Sequence, residues 1–154
     1  MAKRVRIGDL VEVPTSRGLF YAQYTHSHPE YGTLIRVLGG VYSERPQDIH
    51  FLAQSPTRIV LFCFLQSAVN RGAWTVIGNA LVPEHSRQFP LFRSGLADPL
   101  TGVVKDWWLW DGNTAWRVGS LDKEQFRLPE RGIWTDALLI ERLEAGWNPE
   151  SSGQ

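Results

Sequence analysis

The segment Asp106-Trp107-Trp108-Leu109-Trp110-Asp111-Gly112, followed by Trp116-Arg117-Val118-Gly119, constrains this chain more than any other. It holds four of the seven tryptophans, on either side of a turn-forming Asp-Gly-Asn. Side chains of a β-strand alternate between faces, so Trp108 and Trp110 share one face while Trp107 and Leu109 take the other. A ribbon that is apolar on both sides must be covered twice, or covered once with its second face kept for a partner. The residues alone leave both options open.

The rest of the chain reads as further short strands and one helix. Val5 and Ile7, then Val11 and Val13, alternate around Gly8-Asp9 and end at Pro14. After the turn Thr15-Ser16-Arg17-Gly18, residues 19–24 supply a return strand. His26-Ser27-His28-Pro29-Glu30 interrupts it, and residues 32–38 give a third strand closed by Gly39-Gly40. Pro46-Gln47-Asp48-Ile49 can seed one helical turn. Thr57 to Leu65 is a strand apolar on both faces, residues 66–71 a short helical connection, and residues 73–78 another strand. Pro83 to Pro90 is a loop, Arg93-Ser94-Gly95 has turn character, and Val103 to Val118 is the tryptophan hairpin. From Thr135 onward Leu138, Leu139, Leu143 and Trp147 recur at helical spacing, with Thr135 or Asp136 to cap the start and Gly146 to end it. The pattern predicts an α+β, mostly β fold: a single domain over 1–148, with a curled antiparallel sheet or small barrel and a C-terminal amphipathic helix. That helix is expected to roof the tryptophan ribbon, and 149–154 to form a frayed polar tail.

Composition narrows the partners. Sixteen Lys and Arg balance sixteen Asp and Glu, so the chain lacks the long-range field that draws proteins onto nucleic acid or anionic lipid. The single cysteine, Cys63, lies in an apolar run and reads as a small buried hydrophobe; it can form no intramolecular disulfide. The basic start Lys3-Arg4-Arg6 is not followed by an apolar stretch of the signal-peptide kind, and a cytoplasmic location is expected.

Catalytic signatures are sparse. His26 and His28, two apart, can project to one side of an extended segment, but a catalytic metal needs further ligands and none stands at a diagnostic spacing. No metal or cofactor is expected. No nucleophile elbow and no phosphate loop is present. Arg36 and Arg117 lie in or beside apolar strands, where a charge needs partners, which favours a structural role.

The order of several short motifs resembles a known family. Ile7-Gly8-Asp9 with Val13-Pro14, Tyr21-Ala22-Gln23, and Tyr31-Gly32 with Leu34-Ile35-Arg36-Val37 are similar to the opening of immunity protein 26-like proteins. Gly72-Ala73-Trp74 with Ile77-Gly78-Asn79, the Trp107–Gly112 block, and Arg131-Gly132-Ile133-Trp134 with 138–140 resemble its later blocks. The resemblance implies a bacterial immunity-type antitoxin that binds and blocks a cognate toxin. The same grouping includes a small phosphotriesterase of the HocA type, which implies a hydrolase as the alternative. It assigns no catalytic residue. For the binding protein, Trp107 and Trp108 are the expected anchors, dispensable for folding, with Asp111 and Arg117 on the rim. For the hydrolase, the candidates are His26, His28 and Asp48, with Arg36 as charge stabiliser.

Overall fold

The computed structural model describes residues 4–151. Strands β1 (Asp9–Thr15) and β2 (Gly18–His28) form the first hairpin, and β3 (Gly32–Leu38) follows in antiparallel register. Helix α1 (Ile49–Ala53) leads into β4 (Thr57–Cys63), then α2 (Leu65–Asn70) and β5 (Thr75–Asn79). A second sheet is built from β6 (Phe92–Ala97), β7 (Val104–Trp110) and β8 (Ala115–Gly119). The two-residue strand β9 (Ile133–Trp134) and helix α3 (Asp136–Ala145) close the chain. The larger sheet runs β5-β1-β2-β3-β4-β9 and the smaller β6-β7-β8. The described residues are therefore mostly β, in two open sheets with no closed barrel among them.

The larger sheet is apolar on both faces, and the two faces are covered differently. On the first, Val11, Val13, Phe20, Ile35, Val37, Ile59 and Leu61 pack under Trp74, Leu139 and Leu143. Leu139 and Leu143 are fully buried on α3, and each contributes about 1.5–3 kcal/mol by burial. Thr135 caps α3 by accepting from the Leu138 N–H, and Gly146 ends it at φ 70°, the left-handed conformation that glycine adopts without strain. The helix thus lies on the larger sheet. It does not roof the tryptophan ribbon as expected, because its apolar stripe is taken up by the β1–β4 surface.

The second face carries two separate apolar clusters. Leu10, Tyr21 and Leu38 pack under Leu52 and Ala53 of α1 at one end. Leu34, Phe62, Phe92 and Trp110 join the two sheets at the other. The second cluster is aromatic: Phe62 stacks on Phe92 at 5.2 Å, and Trp110 lies 4.9 Å from Tyr31 and 5.1 Å from His28.

Three local expectations are corrected. His26 and His28 do not break the second strand; β2 carries them through a register shift between Tyr24 and His26. Arg93-Ser94-Gly95 is strand, not turn. A Cβ on Gly95 would stand 2.4 Å from Val104 Cγ1 and 2.9 Å from Trp107 Cε3, so this glycine gives the Trp107 ring room to lie against the backbone of β6. The tail is ordered at its start: Pro149–Ser151 forms a 3₁₀ turn, and the Pro149 carbonyl accepts from the buried Arg93 guanidinium. The expected tail residues 152–154 and the basic Lys3 lie outside the described residues.

Candidate functional site

The tryptophan ribbon is covered on one face and half-covered on the other. Trp107 and Leu109 are each 5% exposed. The Arg93 guanidinium lies 5.1 Å over the Trp107 ring, and Phe126 meets that ring edge-on at 6.1 Å. Trp107 is therefore interior, which corrects its assignment as an exposed anchor: the face it shares with Leu109 is sealed by the 125–130 segment and Arg93. On the opposite face Trp110 is sealed into the aromatic cluster, with Arg131 4.3 Å above its ring. Two residues earlier the cover ends, and Trp108 is 42% exposed.

Trp108 floors an open groove of about 720 Å³, bordered by Leu96, Pro99, Val103, Asp106 and Arg131. Leu96 and Leu100 are more than nine-tenths exposed. Arg117 stands opposite Trp108 on β8 and donates to Asp106 at 2.7 and 3.0 Å. Arg117 and Asp106 form a charged border beside the indole, and both side chains are solvated. Asp111 stays at the tip of the hairpin, where its carboxylate accepts from the Asn113 and Thr114 N–H groups. Those backbone donors hold its pKa below the usual carboxylate range. Asp111 shapes the turn and lies away from the groove lining.

The four hydrolase candidates do not converge on one site. His28 Nε2–H donates to the Gly112 carbonyl at 2.7 Å, and Nδ1 accepts from the Glu30 and Tyr31 N–H groups. Both ring nitrogens are committed to backbone, so His28 pins the tryptophan hairpin to β2. Asp48 caps α1 through the His50 and Phe51 N–H groups. His28 shares the Phe89 ring with His26, but neither His28 nor Asp48 lines the cavity that His26 borders. Among the described residues no three His, Cys, Asp or Glu side chains are placed to share a metal ion.

His26 and Arg36 do come together. They line a cavity of about 160 Å³ with Thr25, Thr57, His85 and Ser86. The cavity opens where the two apolar clusters leave the second face of the sheet uncovered, under the 83–90 loop. His26 Nε2–H donates to the Arg87 carbonyl at 2.8 Å and holds that loop in place. Arg36 is 1% exposed and opposite Gln23 in register. Its Nε donates to Gln23 Oε1 at 3.0 Å, Nη1 to the Ser55 carbonyl at 3.0 Å and to Thr57 Oγ1 at 3.2 Å, and Nη2 to the Ala53 carbonyl. These contacts fasten the end of α1 to the sheet, the structural role expected of Arg36. From Thr57 the hydrogen bonds continue to Ser86 Oγ at 3.3 Å and on to His85 Nδ1 at 2.8 Å.

Thr57 and Ser86 are not singled out by sequence, and His85 stands out only as one of several residues that could add a metal ligand to His26 and His28. They come from a strand and a loop almost thirty residues apart, and only the fold assembles them. The available signal was weaker: Gln23, Thr25 and Arg36 are polar residues inside otherwise apolar strands. Cys63, by contrast, is a buried hydrophobe as expected, 3% exposed, and burial pushes its thiol pKa up to about 12. Among the described residues no helix is long and apolar enough to cross a membrane. Comparison with protein-family models, curated proteins and solved structures found no match to this chain.

Proposed function

We propose that this chain is an immunity-type protein, resembling immunity protein 26, that neutralises a cognate toxin in the bacterial cytoplasm by direct binding. The supporting observation is the half-exposed indole of Trp108, set in an open groove with the exposed Leu96 and Val103 and beside the Asp106–Arg117 pair. Interface anchors are enriched in Trp, Tyr and Arg, and a central indole ringed by apolar and charged groups fits that anatomy. Trp108 is the anchor, and Arg117 lies at the rim beside it. The test is titration of the purified protein with the toxin domain encoded beside it. Trp108→Ala should weaken the complex by about 2 kcal/mol or more, roughly thirtyfold, with the fold intact. Undiminished affinity in that variant would refute the assignment of the face, and no complex at all would refute the function.

The second reading, a small phosphotriesterase-like hydrolase, has one observation in its favour: His26, Arg36 and the Ser86–His85 pair border a single cavity. At about 160 Å³ that cavity is below the ~300–1,000 Å³ usual for organic ligands, which favours the binding protein. Turnover of a chromogenic phosphotriester that disappears in Ser86→Ala and His26→Ala variants would reverse the preference.

A further inference from the structure

The cavity beneath the 83–90 loop has a feature that loop anchoring does not explain. Arg36 is a fully buried cation, yet all four of its hydrogen bonds go to neutral oxygens. Among the described residues no carboxylate pairs with it, and none lines the cavity. A guanidinium has five N–H donors, and the fifth, on Nη2, has no acceptor among the described residues. Buried charges are ordinarily paired, because an unpaired one forfeits its hydration without an opposite charge in return. Burial lowers the Arg36 pKa only to about 10, so it keeps its proton at neutral pH. The rest of the lining is mixed: Leu34, Val60 and Pro90 supply apolar walls, and the polar groups are neutral. Thr25, Thr57 and Ser86 offer hydroxyls, and His26 and His85 offer imidazoles.

We infer that this cavity is a binding site for a small oxyanion, whose charge is held by Arg36 and whose oxygens draw the Thr57 and Ser86 hydroxyls out of their present bonds to Ser86 and His85. The volume of about 160 Å³ suits an inorganic oxyanion, or the terminal phosphoryl or carboxylate group of a larger ligand, better than a whole organic molecule. Occupancy would fasten the 83–90 loop between the two sheets, because Ser86 belongs to that loop and Thr57 to β4. The site lies apart from the Trp108 groove and shares no lining residue with it. A phosphotriester is neutral, so anion binding can be measured whether or not any turnover exists.

The full chain should be titrated calorimetrically with inorganic phosphate and, separately, with acetate at constant ionic strength, while backbone amides are followed by NMR. Saturable one-to-one binding of at least one of the two is expected, with amide shifts confined to Thr57, His85, Ser86 and their neighbours. The arm that saturates identifies phosphoryl or carboxylate chemistry. Thr57→Val and Ser86→Ala, which leave Arg36 and its carbonyl contacts in place, should each weaken binding about tenfold or more, as loss of a hydrogen bond to a charged group implies. Absence of saturation with both anions, shifts centred elsewhere, or full affinity in both folded variants would overturn the inference.

Discussion

Trp107 and Trp108 are adjacent in sequence, and truncating each to alanine should give opposite kinds of result. A fully buried tryptophan removes about 200 Å² from water, and at roughly 25 cal/mol per Å² that is about 5 kcal/mol. Trp107 is 5% exposed, lies under the Arg93 guanidinium and touches Phe126. Trp107→Ala opens a closed void and removes the ring that faces a buried cation, and the expected loss is about 3–5 kcal/mol. Trp108 is 42% exposed, so area alone caps its loss at roughly 3 kcal/mol. The groove it leaves is open to water and holds no void, which brings the expected loss to about 1–2 kcal/mol. Urea unfolding measures both. With a slope of roughly 2 kcal/mol/M, the midpoint should fall by about 2 M for Trp107→Ala and by at most about 1 M for Trp108→Ala. Equal shifts, or the larger shift at Trp108, would refute the division of the ribbon into a sealed and an open face.

Three further outcomes follow from particular contacts. Gly95→Ala places a methyl against Val104 and the Trp107 ring and should cost about 1–3 kcal/mol in the same urea assay. Cys63, with its thiol pushed up to about 12 and buried, should not react with an exposed-thiol reagent at pH 8 until the protein unfolds; rapid labelling of the native state would contradict the packing of β4. Glu12 accepts from Arg45 at 2.8 and 3.0 Å and from the Tyr21 hydroxyl at 2.7 Å. The Arg45 hydrogen bond, helped by Tyr21, holds its pKa below the ordinary glutamate value against the opposing effect of burial. A lowered folded pKa means that its stabilisation is complete above the unfolded pKa and is lost as pH falls through the folded one. Acid titration of stability should therefore show a flatter limb below pH 5 in Glu12→Gln than in the parent; identical limbs would remove Glu12 from the acid response.

Alternation and turn chemistry were enough to place most strands, because period and breaker residues are local properties. They gave β3 and the first hairpin, the cap residues Thr135 and Gly146, and the two-faced character of β4, whose Ile59 and Leu61 enter one core while Phe62 enters another. Alternation also put Trp107 and Trp108 on opposite faces. It misread β6, because a glycine demanded by the approach of a neighbouring indole looks the same in sequence as one demanded by a turn. It also ended the second strand too early, because histidines in a polar run gave no sign of the backbone carbonyls that would hold them.

What the tertiary structure alone decided is which apolar surface meets which. The α3 stripe went to the β1–β4 face, Trp110 became interior, and Trp108, on the same side of the same strand, stayed half in solvent. The separation of the candidate residues has the same origin. His26 and Arg36 meet because β2 and β3 pair and the 83–90 loop bridges the gap above them, whereas His28 and Asp48 are drawn to backbone groups elsewhere. A residue's type fixes what it can bond to, but only packing fixes which partners arrive, because burial and pairing are properties of surfaces brought together from distant parts of the chain.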